Sequence, residues 1–162
     1  MPHPNRRKIL RVATAMLVAG LPASAAETRV GDIVVSTPWT RASTGRVPAV
    51  GYMTISNTGA RPDRLLGGET PQARAVELHR SETDGGVARM RPIEGGLAIA
   101  PKEVLRLDPD SGIHLMLVDP RGAFARGTKV PLTLVFEQAG RIQVELDVAA
   151  AGARAPGAHQ GH

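Results

Sequence analysis

Two histidines and three methionines in the central part of the sequence are the side chains best suited to bind a soft metal ion: His79, Met90, His114, Met116 and Met53. His114 and Met116 are two residues apart in an apolar stretch, so a β-strand there would direct both to one face. His79 and Met90 flank a Gly-rich turn, and a turn centred on Asp84-Gly85 would place them directly opposite each other in a hairpin. The spacing therefore predicts that the two histidines, Met90 and Met116 converge on one ion.

The chemistry of these ligands favours monovalent copper. Thioether sulfur is soft and uncharged, so it binds Cu(I) in preference to Zn(II), Mg(II) or Ca(II). The sequence contains no Cys, which excludes a blue-copper centre, a Cys-based zinc site and thiol redox chemistry. We therefore predict one Cu(I) site made by His79, Met90, His114 and Met116. We assign Met53 to the hydrophobic core, where a single Met on a strand usually lies.

Short apolar segments separated by Gly, Pro, Asn and Asp fill the sequence after residue 26. They predict strands over residues 33–35, 49–56, 64–66, 73–81, 87–93, 104–107, 113–118, 130–137 and 141–148. The last two segments alternate apolar and polar residues, as half-buried strands do. The pattern predicts an all-β domain over residues 27–148, either a β-sandwich or a Greek-key barrel.

Both ends of the sequence differ in composition from this domain. Residues 1–26 combine a basic start, an apolar run over 9–21 and small residues before Glu27. This is typical of a cleaved signal peptide, since the run is shorter than the roughly 20 residues of a membrane span. We expect export to the periplasm by the Sec or twin-arginine route, without a lipid attached through Cys. Residues 149–162 predict a disordered tail, in which His159 and His162 are candidates for a weak Cu(II) site.

Charge and motifs exclude several other functions. Four of the 20 Lys and Arg residues, but none of the 15 Asp and Glu, lie in residues 1–26, so the rest of the chain has a net charge of only +1. Aromatic residues make up 2% of the sequence, and no basic run interleaved with aromatics suggests a nucleic-acid surface. There is no Ser/His/Asp arrangement, no Gly-rich phosphate loop, and no pair of carboxylates whose geometry can be argued from the sequence, so we predict that the protein is not an enzyme.

The spacing of the four candidate ligands also matches a known pattern. Ten residues separate His79 from Met90, 23 separate Met90 from His114, and His114-Leu115-Met116 completes it. By this spacing, the chain resembles the PCuAC-type periplasmic copper chaperones over about residues 39–148. The stretches that carry the resemblance are TPWTRA, AVGYMTISNTG, DRLLG, VELH, GGVARMRPIEGG, GIHLMLVDP and PLTLVFEQAG. Many members carry further Met residues near the first His and before the first Met of the pattern, where this chain has Arg80, Ser81 and Ala88. Auxiliary soft ligands are therefore fewer here.

The resemblance implies a cupredoxin-like β-sandwich that carries Cu(I) across the periplasm. It also implies delivery to the CuA centre of cytochrome c oxidase, with the CuA subunit, a Sco-type copper protein or both as partners. Two alternatives remain open at this stage. A copper storage or resistance protein would use the same site without an oxidase partner. A metal-free adhesion or assembly module with a β-sandwich fold would not bring His79 and His114 together.

Overall fold

The computed structural model describes residues 27–156, a range that contains eleven β-strands and no helix. The strands are β1 Glu27–Val30, β2 Ile33–Arg41, β3 Ala49–Asn57, β4 Asp63–Glu69, β5 Ala73–Asp84, β6 Val87–Pro92, β7 Leu97–Ile99, β8 Val104–Leu107, β9 Ile113–Pro120, β10 Lys129–Phe136 and β11 Arg141–Ala149. The predicted all-β class is confirmed. Each predicted segment corresponds to a strand, and β1 and β7 are additional.

Seven of the strands close into a barrel. Their order is β2-β11-β10-β4-β5-β9-β3, and β3 pairs back onto β2 to complete the ring. The β11–β2 pair is parallel, whereas the other neighbours in the ring are antiparallel. The remaining strands extend the edges, and β6 pairs only with the far end of β5 among the described strands. Closure removes most of the free strand edges that would otherwise be open to aggregation.

The core of the barrel follows the alternation seen in the sequence. Inward side chains of β10 and β11 are almost completely buried, among them Leu132, Leu134, Ile142 and Leu146. Met53 of β3 belongs to the same cluster and is 2% exposed, which confirms its assignment to the core. Burying a side chain of this size contributes about 1.5–3 kcal/mol, so the faces of these strands are strongly specified.

Strand β5 is the element that joins the barrel to the hairpin. Residues 73–80 pair with β9 inside the ring, and residues 79–84 pair with β6 beyond it. At His79 the two ladders overlap, so this residue has β9 on one side and β6 on the other. On β9, Leu115 and Leu117 point into the core with no exposed surface. The period of two therefore directs the alternate residues of β9 to the outer face.

The chain continues in ordered contact past residue 148, where the tail was predicted to begin. Ala149 ends β11, and Ala153 is 1% exposed against Trp39 and Tyr52 on the outer face of the barrel. The side chain of Arg41 donates a hydrogen bond to the Ala153 carbonyl at 2.7 Å. His159, His162 and the predicted signal peptide lie outside the described residues. Within residues 27–156 there is no helix that is long and apolar enough to cross a membrane.

Candidate metal centre

The two central histidines lie side by side on the outer face of the barrel. His79 of β5 and His114 of β9 are direct cross-strand partners, and their ring centroids are 6.1 Å apart. Directly opposed residues of antiparallel strands point to the same face, so both rings leave the same side of the sheet. His114 is 3% exposed, and the side chain of His79 is 13% exposed. The predicted convergence of the two histidines is therefore present in the fold.

One nitrogen of each ring is buried without a hydrogen-bond partner among the described residues: Nδ1 of His79 and Nε2 of His114. We call these two atoms the buried ring nitrogens. A buried polar atom without a partner costs about 1–3 kcal/mol, so native proteins rarely retain one without a reason. Two nitrogen–metal bonds of about 2 Å each, together with the two ring radii, span a centroid separation of this size. A single metal ion placed between the rings is therefore within reach of both imidazoles.

Met116 lies beside this pair in a buried position. It is two residues beyond His114 on the same face of β9, it is 8% exposed, and it is paired with Glu77 of β5. Its position relative to His79 is diagonal, at a separation of about 7–8 Å between backbone positions, which a long side chain can bridge. The structure thus places Met116 on the same face as the histidine pair, as the spacing of His114 and Met116 predicts.

Met90 reaches the same face, but not by the predicted pairing. A turn at Asp84-Gly85 would place Met90 directly opposite His79, whereas in the structure Met90 is opposite Ser81 and His79 is opposite Pro92. The turn is formed by Gly85 and Gly86, both with positive φ (57° and 81°). Two-residue hairpins of this type require positive φ at both central positions, which Gly-Gly supplies more readily than Asp84-Gly85.

The corrected register moves Met90 by two positions and so keeps it on the ligand face, because side-chain direction repeats every two residues. Met90 is now diagonal to His79 and lies on the far side of β5 from His114. It is also 55% exposed, unlike the other three candidate ligands. Met116 and Met90 therefore approach the histidine pair from opposite sides, one from the buried surface and one from the exposed hairpin.

An apolar surface continues from the site across the neighbouring strands. Val50 of β3 is the cross-strand partner of Met116, and Tyr52 lies two residues further along the same face. Tyr52 stacks on Trp39 with a centroid distance of 4.7 Å, and Arg41 lies over both rings at 5.2 and 5.8 Å. The β3 side of this face therefore carries apolar and aromatic side chains, and an apolar surrounding limits the access of solvent to a metal site.

Burial also determines the protonation of His114. Desolvation lowers the pKa of His114 below its ordinary value of 6.5, and the nearby His79 acts in the same direction, although a backbone hydrogen bond with Gly112 opposes them. Since Nε2 has no partner within the described range, the Gly112 contact uses Nδ1. The ring is therefore held neutral with its Nε2 lone pair available, which is the form that binds a metal ion.

This lowered pKa predicts how the stability of the metal-free protein depends on pH. As pH falls below 6.5, His114 takes up a proton more readily in the unfolded chain than in the folded one, so the free energy of unfolding decreases. Because one proton is involved, the free energy of unfolding changes by at most about 1.4 kcal/mol per pH unit. Urea unfolding of the wild type and of His114→Leu on both sides of pH 6.5 measures it.

The wild type should lose stability in this range, and the variant should lose less. If the free energy of unfolding depended on pH equally in the two proteins, His114 would not be the source of the pH dependence. Glu69 does not affect stability in this pH range. Arg141 lowers the pKa of the Glu69 carboxyl below 4.5, so the contribution of Glu69 to the free energy of unfolding is lost only at lower pH.

Glu77 also lies beside the histidine pair, although from the sequence alone Glu77 and Glu82 are predicted to lie on solvated strand faces. Oε2 of Glu77 lies 3.0 Å from Nε2 of His79. Two residues on one strand share a face, so the Glu-x-His spacing in the stretch VELH was an available signal. Among residues 27–156 no group of three or more His, Cys, Asp and Glu side chains forms a metal site. The soft donors on the same face as the histidine pair are the thioether sulfurs of Met116 and Met90.

The chain is thus a small β-barrel with two His and two Met residues on one outer face, and known proteins share its architecture. The model of the LpqE-like family, described as "Putative lipoprotein LpqE-like", matches residues 33–148. A relative from Leifsonia xyli subsp. xyli, "Putative lipoprotein Lxx21020", is 29% identical over 130 residues, which cover 79% of this chain and 77% of the relative.

Two solved structures are similar over most of the described range. The "Copper-bound PCuAC domain from PmoF2" has a TM-score of 0.66 and 31% identity, and the match covers 77% of this chain and 98% of that domain. The solution structure of CuI-DR1885 from Deinococcus radiodurans has a TM-score of 0.58 and 26% identity, covering 78% of this chain and 81% of that one. The chain belongs to the PCuAC family, with which the LpqE-like match is consistent, and its fold is the cupredoxin-like fold that the resemblance implies.

Proposed function

We propose that this protein is a periplasmic copper carrier that holds one Cu(I) through His79, Met90, His114 and Met116. It would release the ion for assembly of the CuA centre of cytochrome c oxidase. Membership of the PCuAC family supports a copper chaperone-type role. The four ligands, the periplasmic location and the oxidase client are the proposed part.

The observation that carries the proposal is the pair of buried ring nitrogens. Two imidazoles 6.1 Å apart on adjacent strands each keep one buried nitrogen without a hydrogen-bond partner in the described part of the chain. Neutral imidazole and thioether together leave the charge of the metal uncompensated, so a monovalent ion costs less to bury than a divalent one. A d¹⁰ ion such as Cu(I) has no ligand-field preference and accepts an arrangement that the sheet dictates.

The ligand set favours a carrier over a catalyst. Catalytic metal sites keep an open position for water or substrate, whereas sites with four protein ligands are closed. Two imidazoles and two thioethers would use all four positions of a tetrahedral Cu(I). Copper would then leave only by exchange of a ligand, which is what transfer to another protein requires.

Transfer would begin at Met90. Its side chain is 55% exposed on β6, while Met116 is 8% exposed and His114 is 3% exposed. A partner ligand can replace an exposed thioether without disturbing the barrel, and the three remaining ligands would hold the ion during the exchange. Release would therefore proceed from the hairpin side towards the buried side.

The proposal is tested in a strain that lacks the gene, grown at limiting and at excess copper. Loss of a carrier for CuA lowers oxidase activity at limiting copper, and added copper restores it. The gene for the His114→Leu protein should fail to complement the defect, whereas the gene for the matched Met53→Leu protein should succeed. Normal oxidase activity at limiting copper, with growth impaired only at excess copper, would contradict oxidase delivery and identify copper storage or resistance instead.

A further inference from the structure

The two histidines of the site differ in which ring nitrogen already has a partner. In His79, Nε2 lies 3.0 Å from the Glu77 carboxylate and Nδ1 is one of the buried ring nitrogens. In His114 the situation is reversed, since Nε2 is the buried ring nitrogen and the backbone of Gly112 bonds the ring. The two imidazoles thus offer different atoms to an ion placed between them.

We propose that Glu77 is a positioning residue that fixes His79 for metal binding through Nδ1, while His114 binds through Nε2. This inference rests on the proposed function and adds to it the binding atom of each histidine and the role of the carboxylate. Its basis is the contact of Glu77 with His79 and the opposite pattern of contacts in His114.

The hydrogen-bonding capacity of Glu77 and His79 determines which nitrogen of His79 carries the proton. An ionised carboxylate only accepts hydrogen bonds, and a neutral imidazole has one N–H and one lone pair. The proton must therefore be on Nε2 where Glu77 can accept it, which leaves the lone pair on Nδ1. A carboxylate on the outer nitrogen also raises the basicity of the ligand nitrogen and limits rotation of the ring.

Strand β5 places the Glu77 side chain beside His79. Glu77 and His79 share one face of β5, and Glu77 is the cross-strand partner of Met116. The Glu77 side chain is 45% exposed, so it stays hydrated at the edge of the site and is not buried among the ligands. For His114, the Gly112 carbonyl occurs two residues earlier on the same chain and also accepts a hydrogen bond from the Ser81 backbone N–H at 2.8 Å. His79 is thus contacted by a side chain of its own strand, and His114 by a backbone group just before β9.

The test uses ¹⁵N-labelled protein and NMR correlation of the ring nitrogens with the ring protons. The metal-free wild type should show the Nε2–H form of His79, with its proton signal resolved, and the Nδ1–H form of His114. Adding one equivalent of Cu(I) should shift Nδ1 of His79 and Nε2 of His114. In Glu77→Ala the Nε2–H signal of His79 should be lost to exchange, and the affinity for Cu(I) should fall by about 10–100-fold.

Two further variants separate the proposed role from a general effect of charge. Glu77→Gln retains an oxygen that can accept the Nε2–H bond, so it should keep the proton signal and most of the affinity. Glu82→Ala removes another carboxylate of β5, one that pairs with Arg91 on the opposite face, and it should match the wild type in both measurements.

The possible results distinguish this inference from the proposed function. Copper binding by His79 through Nε2, or wild-type affinity in Glu77→Ala, would overturn the role of Glu77 and leave the copper site standing. If Cu(I) shifted neither histidine, the proposed function itself would be wrong.

Discussion

His114→Leu should abolish stoichiometric Cu(I) binding and leave the barrel folded. His114 is 3% exposed at the centre of the site, and its Nε2 has no hydrogen-bond partner among residues 27–156. Replacing such a group by an apolar one of similar size leaves no polar atom unsatisfied and is close to neutral for stability. The Gly112 carbonyl that loses the ring still accepts the Ser81 N–H. The loss in affinity should exceed the roughly 10–100-fold that removal of an outer-shell partner costs.

Competition with a Cu(I) chelator measures this loss, and the variants Met53→Leu and His159→Asn/His162→Asn serve as controls. Met53 is buried in the core, away from the site, so the first control tests for a general effect of altering the barrel. The second removes the tail imidazoles, which would otherwise contribute to binding. Both should bind one Cu(I) as the wild type does. If His114→Leu retained one equivalent at wild-type affinity, the histidine pair would not be the site.

The two methionine ligands should differ in what their loss changes. Met116→Leu should mainly lower the affinity for Cu(I), because Met116 is buried beside the histidines. Met90→Leu should mainly raise the rate at which copper passes to a competing chelator, because an exposed ligand on the hairpin controls the first step of exchange. Leu and Met are close in volume, and the exchange costs less than about 1.5 kcal/mol of stability. Each effect should therefore reflect loss of sulfur.

Competition with a Cu(I) chelator separates these effects, because equilibrium measurements give the affinity and stopped-flow measurements give the release rate. Met53→Leu, which replaces a Met outside the site, is again the control. The order of the two rates is the informative quantity: release should be faster from Met90→Leu than from the wild type. If Met90→Leu matched the wild type in both affinity and release, Met90 would not be a ligand, and the site would consist of the two histidines and Met116.

Most of the strands, and the face of the sheet to which each side chain points, could be predicted from the sequence. Apolar alternation in β9 assigns Leu115 and Leu117 to the core, and it follows that His114 and Met116 share the outer face. Burial of Leu115 and Leu117 makes a one-residue slip costly, so this prediction rests on a strong physical constraint. The pairing of β5 with β9 was harder to predict, because 34 residues separate His79 from His114 and local periodicity does not specify which distant strands pair.

The register of the β5–β6 hairpin was predicted wrongly, but the error left Met90 on the predicted face of the sheet. The prediction used Asp84-Gly85 as the turn, whereas the backbone uses Gly85-Gly86 because both positions need positive φ. The resulting shift by two residues changes the partner of His79 from Met90 to Pro92. It does not change the face, so Met90 remains a candidate ligand, but it is the most exposed of the four and lies on the far side of β5 from His114.

X-ray absorption at the copper edge tests the central claim most directly, because it counts the sulfur and nitrogen atoms bound to the ion. The sample is the Cu(I)-loaded protein with His159 and His162 replaced by Asn, so that the signal comes from the barrel alone. We expect two sulfur and two nitrogen ligands, with one sulfur lost in Met116→Leu. A first shell of nitrogen and oxygen without sulfur would contradict the account.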